Sequence, residues 1–154
     1  MSRSVIFPGS FDPFTRGHEA VVNSALNLFD KVIIGIGVNS NKKYLFTVEQ
    51  RKGIIESIFK DKLERLEVVF YEGLTVDYCK KNNIQYIVRG IRNTRDWLFE
   101  NEIASMNKTL NEDIETIFLA SKPEHSAINS TIVREIYGNG GDVSKFIPEG
   151  CKLP

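Results

Sequence analysis

The constraint that most narrows the fold is a repeated change of hydrophobic period along the chain. Short apolar runs rich in β-branched and aromatic residues, Val5 to Phe7, Val32 to Val38, Glu67 to Tyr71, Gln85 to Arg89 and Glu115 to Ala120, alternate with stretches of helical period. Runs of this length and composition are expected of strands buried on both faces. Between them, Ala20, Val21, Ala25, Leu28 and Phe29 fall on one face of a first helix, and helical patterns follow over Val48 to Phe59, Val76 to Lys81 and Trp97 to Leu110. Strands alternating with helices call for crossover connections, and hence for a parallel sheet covered on both sides. A further helix is predicted over Ser130 to Tyr137, capped by Ser130 or Asn129 and ended by Gly138-Asn139-Gly140-Gly141. A last helical turn is expected around Val143 to Phe146, stopping at Pro148. No repeat, low-complexity tract or linker interrupts the 154 residues, so the economical reading is one α/β domain over 1–154, a doubly wound five-stranded parallel sheet.

Composition removes several function classes. Lys+Arg 20 against Asp+Glu 20 gives no net charge, and no stretch concentrates one sign enough for a nucleic-acid track, so any bound polyanion should be small. Cys79 and Cys151 lie far apart without metal-ligand spacing and read as reduced thiols of a cytoplasmic protein. The N-terminus lacks an apolar core and the longest apolar run, Val32 to Val38, includes two glycines, so neither a signal peptide nor a membrane span is expected. No GxxxxGK[ST] occurs, and Gly35-Ile36-Gly37 is not completed into a dinucleotide fingerprint. Hydrolase-elbow, zinc-protease and EF-hand patterns are absent as well.

Ligands of open α/β sheets bind beyond the carboxyl ends of the strands, where strand order reverses. The polar residues of this chain gather in those loops. Ser10, Phe11 and His18 follow the first strand, Asn39, Lys42 and Lys43 the second, and Gly73-Leu74-Thr75 the third. Arg89-Gly90-Ile91-Arg92 ends the fourth, and the fifth leads into residues 121–131. The segment from Gly9 to His18 runs from a strand into a helix N-terminus, where free N–H groups and the helix dipole favour anions. His18 stands where a phosphate would lie. Lys42, Arg89 and Arg92 bring three cations to the same edge with no paired acids expected to oppose them, and Ser130-Thr131 at a helix start adds hydroxyl donors. Such a site suits a ligand with several phosphates, or two phosphorylated substrates. Taken singly, Lys42 also reads as a solvated lysine, Glu100 and His125 as surface residues, Ser130 and Thr131 as caps, and Phe11 as a core aromatic.

Taken together, Pro8-Gly9-Ser10-Phe11-Asp12-Pro13 with Thr15-Arg16-Gly17-His18, Asn41-Lys42-Lys43, Phe46-Thr47, Arg89-Gly90-Ile91-Arg92 and Asn129-Ser130-Thr131-Ile132-Val133-Arg134 resemble the bacterial phosphopantetheine adenylyltransferases. The resemblance runs in order over almost the whole chain, and it implies a Rossmann-like nucleotidyltransferase fold. The reaction it implies is direct adenylyl transfer from ATP to 4′-phosphopantetheine, giving dephospho-coenzyme A and pyrophosphate, the penultimate step of coenzyme A synthesis. By the same resemblance, His18 is the catalytic residue. Ser10, Lys42, Leu74, Thr75 and Arg89 contact the acceptor. Nucleotide contacts fall to Ser10, Phe11, His18, Gly90, Ile91, Arg92 and Glu100, and to the loop His125, Ser126, Ala127, Ile128, Asn129, Ser130 and Thr131. Mg²⁺ would arrive bridging the ATP phosphates rather than in a protein cage, coenzyme A is a feedback ligand, and the assembly is a homo-hexamer. Asn129 departs from the family's usual serine but keeps a capping side chain. Alternatives are a nicotinate-mononucleotide adenylyltransferase, a glycerol-phosphate cytidylyltransferase, or a non-catalytic nucleotide-binding module.

Overall fold

The computed structural model describes residues 2–154. Five strands, β1 (Ser4–Gly9), β2 (Lys31–Val38), β3 (Leu66–Glu72), β4 (Tyr86–Ile91) and β5 (Glu115–Ala120), form one sheet in the order β3-β2-β1-β4-β5. Every pairing is parallel. The helices are α1 (Arg16–Leu28), α2 (Val48–Ile58), α3 (Thr75–Lys81), α4 (Thr94–Leu110) and α5 (Ser130–Gly138), with short 3₁₀ turns at Lys60–Lys62 and Pro123–His125. This is the doubly wound sheet that the alternating periods require. From β1 the chain winds outward to β3, then crosses back to β4 on the other side of β1, so the reversal falls at β1 itself.

Alternation of side chains along each strand divides the core between two faces. Val5 and Phe7 of β1 join Val32, Ile34 and Ile36 of β2, Val22 of α1 and Ile55 of α2 in one buried cluster. Ile6, Ile33 and Ile87 point the other way, into a cluster with Val76 and Cys79 of α3. A third cluster, Val133, Val143 and Ile147, fastens the C-terminal segment to α5. The helical turn expected after α5 is a single turn, in which Phe146 and Ile147 N–H both donate to the Val143 carbonyl.

Four elements differ from the sequence-based expectation: α1 buries Val21, Val22, Ala25 and Leu26 while Leu28 is exposed, and the edge strand β3 leaves Glu67, Phe70 and Glu72 exposed, so it too is not buried on both faces. The helix predicted from Trp97 begins at Thr94, because the Asn93 side chain caps it by accepting from Asp96 N–H at 2.9 Å. Strand β5 is not buried on both faces: as an edge strand it has no fully buried residue. Its neighbour α4 buries only Glu100 and turns Leu98, Phe99, Met106 and Leu110 to the surface, each more than half exposed. The apolar pattern of α4 therefore does not serve the core of this chain.

Gly35 shows how tightly the central strands are filled. A Cβ there would lie 2.8 Å from Ile6 Cδ1 and 2.9 Å from Tyr71 Cε1. Gly35→Ala is therefore expected to destabilise the fold by about 1–3 kcal/mol through overpacking, read as a lower urea midpoint at unchanged slope; an unaltered midpoint would contradict the packing described.

Candidate active site

The site grows out of the turn between β1 and α1. Thr15 is the N-cap of α1, and its box is closed by a histidine where glutamate is usual: His18 N–H donates to Thr15 Oγ1 (3.4 Å) while Thr15 N–H donates to His18 Nδ1 (3.0 Å). A backbone N–H can only donate, so Nδ1 is the acceptor nitrogen and the neutral imidazole carries its proton on Nε2. The ring lies among Phe11, Phe14 and Phe7, with Phe11 edge-on at 5.0 Å. Burial, reinforced by the positive charges of Arg89 and Arg92, pushes the His18 pKa down from 6.5 to about 3. The imidazole is thus a neutral donor. Beside it, a Cβ on Gly17 would meet nothing nearer than Thr15 Oγ1 at 3.5 Å, so the fold leaves that helix terminus open to a ligand.

The cations are more balanced than the sequence suggested. The sequence leaves Arg89 and Arg92 unopposed, yet in the fold each has an acidic partner. Arg89 forms a bidentate pair with Glu100, Nη2–Oε1 2.7 Å and Nε–Oε2 2.9 Å, and also donates to the Pro8 carbonyl. Arg92 pairs with Asp96 at 3.0 Å and donates to the Ile128 carbonyl at 2.7 Å, tying β4 to the loop before α5. Glu100, only 7% exposed, is accordingly a buried partner rather than a surface charge. Lys42 has no acidic partner among the described residues; its Nζ donates to Ser10 Oγ at 3.2 Å.

Two cavities open at the carboxyl end of the sheet and share Pro8, Gly9, Ser10, Lys42, Arg89 and Glu100 as a common wall. The first, about 380 Å³, runs between β2 and α4 toward Ile87, Ile103, Asn107 and Thr116, and takes in Thr75. The second, about 310 Å³, holds His18, Gly90 and Arg92 together with the α5 terminus at Asn129, Ser130 and Thr131. Phe11 and Ile128 border this second cavity, and the Phe11 ring is itself almost wholly buried. Asn129 caps α5 by accepting from Ile132 N–H at 2.9 Å, and Ser130 Oγ donates to the Pro13 carbonyl at 2.9 Å. Leu74, Ile91, His125, Ser126 and Ala127 line neither cavity. Leu74 is more than half exposed at the start of α3, and His125 Nδ1 is buried without a hydrogen-bond partner.

Several wall residues were not anticipated. Arg134 lines the second cavity while donating to the Asp12 carbonyl (2.8 Å) and to Thr131 Oγ1 (3.1 Å). Its place one helical turn after Ser130 was the available signal. Tyr44, Asn107 and Thr116 line the first cavity, and Thr116 Oγ1 is buried without a partner. Nothing local marks Asn107 or Thr116, because α4 and β5 meet the site only through the fold.

Comparison with known proteins agrees with this architecture. Residues 6–136 match the family model described as cytidylyltransferase-like. A phosphopantetheine adenylyltransferase of Flavobacterium psychrophilum is 48% identical over 98% of this chain and 99% of its own. One of Phocaeicola vulgatus is 49% identical over the same shares. Among solved structures, a bifunctional NMN adenylyltransferase/ADP ribose pyrophosphatase from Francisella tularensis superposes with a TM-score of 0.74 at 24% identity, covering 96% of this chain and 45% of that one, which speaks to fold alone. The chain belongs to the cytidylyltransferase-like family and, within it, to the phosphopantetheine adenylyltransferases.

Proposed function

We propose that this chain transfers the adenylyl group of ATP to 4′-phosphopantetheine, forming dephospho-coenzyme A and pyrophosphate. The observation that carries the reading is the junction of two differently built cavities at Ser10 and Lys42. One has two helix termini and arginines, as a triphosphate requires. The other extends as a slot with an apolar side, Ile87 and Ile103, and amide- and hydroxyl-bearing residues, Asn107, Thr116 and Thr75, which suits a flexible amide-containing arm ending in a phosphate.

Ser10, Lys42, Thr75 and Arg89 hold the acceptor, with Leu74 at its rim. His18, Gly90, Arg92, Glu100 and residues 128–131 enclose the nucleotide, with Phe11 behind the ring of His18 and Ile91, His125, Ser126 and Ala127 at the outer edge. An acceptor phosphate is already ionised near neutral pH. Its oxygen attacks the α-phosphorus, an O–P bond forms, the bond to the bridging oxygen breaks, and the electron pair leaves with pyrophosphate. No proton has to move, so the residues need only align the groups and stabilise charge. His18 Nε2–H donates to an α-phosphate oxygen, and Lys42 neutralises charge between the reacting phosphates.

Asp96 and Glu100, the acids of the nucleotide cavity, are both held by arginines, so neither is offered to a cation. ATP accordingly enters as its Mg²⁺ complex. Coenzyme A carries both an adenylate and the pantetheine arm and would occupy the joined cavities as a feedback ligand. A cytoplasmic location belongs to the same reading, and no helix among the described residues is long and apolar enough to cross a membrane. The exposed Leu98, Phe99, Met106 and Leu110 of α4 support association of copies, which the resemblance puts at a hexamer.

Pyrophosphate release from Mg-ATP is expected with phosphopantetheine and not with nicotinate mononucleotide or glycerol phosphate; the reverse preference would move the protein to another branch of the superfamily. His18→Ala should cut kcat by about 10²–10³ while nucleotide binding changes little, and a mutant as fast as wild type would leave a non-catalytic nucleotide module. Lys42→Ala should raise the KM for phosphopantetheine by about tenfold or lower kcat, whereas unchanged values of both would remove Lys42 from the site. Because the His18 pKa is lowered to about 3 from 6.5, the unfolded chain binds the extra proton between those values. The stability His18 contributes is therefore complete above pH 6.5 and is lost as pH falls toward 3. In the ligand-free protein its ring should keep the neutral, Nε2-protonated nitrogen-15 pattern from about pH 8 to about pH 5; titration near its ordinary value would refute the desolvated neutral donor.

A further inference from the structure

Two charged side chains lie beneath the site without lining either cavity. Asp12 and Arg51 are each only 2% exposed. They are not ion-paired with each other; each reaches into the other's segment. From the turn after β1, the Asp12 carboxylate accepts from Leu45 N–H (2.8 Å, Oδ2) and Phe46 N–H (2.9 Å, Oδ1). From α2, Arg51 Nη1 donates to the Ser10 carbonyl at 2.8 Å and Nε to the Thr47 carbonyl at 3.3 Å. Its guanidinium carbon stands 4.2 Å from the centre of the Tyr44 ring. Tyr44 closes the other end of the segment, its hydroxyl accepting from Asn39 N–H (3.1 Å) and donating to the Gly37 carbonyl (3.4 Å).

The enclosed segment, residues 39–47, carries Lys42, whose side chain is exposed and has no acidic partner among the described residues to orient it. A lysine on a mobile loop is a poor positioning device, since its rotamers and its backbone must both be ordered when the anion binds. Burying two charges is costly unless each is fully hydrogen-bonded, and here both spend their bonds on the backbone of this one junction. Burial lowers the Arg51 pKa and the charge of Asp12 opposes that shift, so the two groups interact across the short gap between their segments.

Resting on the adenylyl-transfer reading, we propose that Asp12 and Arg51 form a buried brace that positions the Lys42 segment for the acceptor. The brace holds residues 39–47 against Ser10, so that the lysine ammonium is already placed at the junction of the two cavities. It acts on acceptor binding and on the transfer step. Nucleotide affinity is spared, because the contact of Asp12 with the nucleotide side runs through its main-chain carbonyl, which accepts from Arg134 and survives a side-chain change.

The test compares Asp12→Asn, Arg51→Met and Arg51→Lys with wild type, in the full chain. Amide hydrogen exchange over residues 39–47 should accelerate at least about tenfold, with phosphopantetheine restoring part of the protection. The KM for phosphopantetheine should rise, and kcat fall, by about tenfold to a hundredfold, while the equilibrium Kd for Mg-ATP stays within about twofold of wild type. Arg51→Lys keeps the charge but not the fork over Tyr44 and Ser10, and should show the same split at a melting temperature near that of wild type. Unchanged exchange over 39–47, or equal losses for the acceptor and for ATP, would overturn the brace; so would a fall in melting temperature with no acceptor-specific effect. If Asp12→Asn and Arg51→Met do not fold, Arg51→Lys and Tyr44→Phe are read by the same criteria. A wild-type protein inactive with every acceptor would sink the adenylyl-transfer reading, while the exchange measurement still decides whether the brace holds the segment.

Discussion

The structure depends on the conformation of the turn between β1 and α1. Within a few residues the Ser10, Asp12 and Pro13 carbonyls accept from Arg51, Arg134 and Ser130, and the Asp12 carboxylate holds two amides of the segment after β2. Thr15 then starts the helix and orients His18. Because β1 is the strand at which the sheet order reverses, this turn is the one place that both halves of the sheet can reach. The loop after β2 approaches from one side and the α5 terminus from the other. The turn is thus the shared wall of both cavities, held on the β2 side by Arg51 and Asp12 and on the α5 side by Arg134 and Ser130.

Electrostatics at this junction are arranged to be strong toward a ligand and tolerable without one. Three unopposed cations around a small cavity would repel one another and raise the cost of folding. Glu100 and Asp96 relieve that by pairing with Arg89 and Arg92. The pairs also fix the planes of the guanidinium groups, so donors face known directions before any phosphate arrives. His18 follows the same logic. Kept neutral by burial and by those arginines, it presents a single proton on Nε2 whose direction is set by the bond from Thr15 N–H to Nδ1. A charged imidazole at that position would add a fourth cation.

Much of the fold was legible in the chain because strands buried on both faces and helices buried on one leave different periods. Where burial fails, the pattern still gives the element but not what it packs against. Strand β5 carries the residues of a buried strand but lies at a sheet edge, and α4 carries apolar residues that stay more than half exposed. The polar first turn of α4, Thr94 to Asp96, carries no periodic signal, and Asn93 caps it. In the site, Ser10, His18, Lys42, Arg89, Arg92 and Ser130 could be read from their places at strand ends and helix starts. Arg134 has a signal in its place one helical turn after Ser130, whereas Asn107 and Thr116 have none, since each enters a cavity wall from an element interior.

The sequence by itself determined the parallel α/β sheet, the loops at its carboxyl edge and the identity of the candidate site residues in them, all consequences of local period, capping and turn composition. Tertiary structure alone decided the electrostatic surroundings of those residues. Pairing of Arg89 with Glu100, desolvation of His18 beside Arg89 and Arg92, and insertion of Arg51 beneath Ser10 join residues distant in the chain, and their electrostatics follow from distance and exposure in space. Neither quantity exists until the strands have taken their order in the sheet.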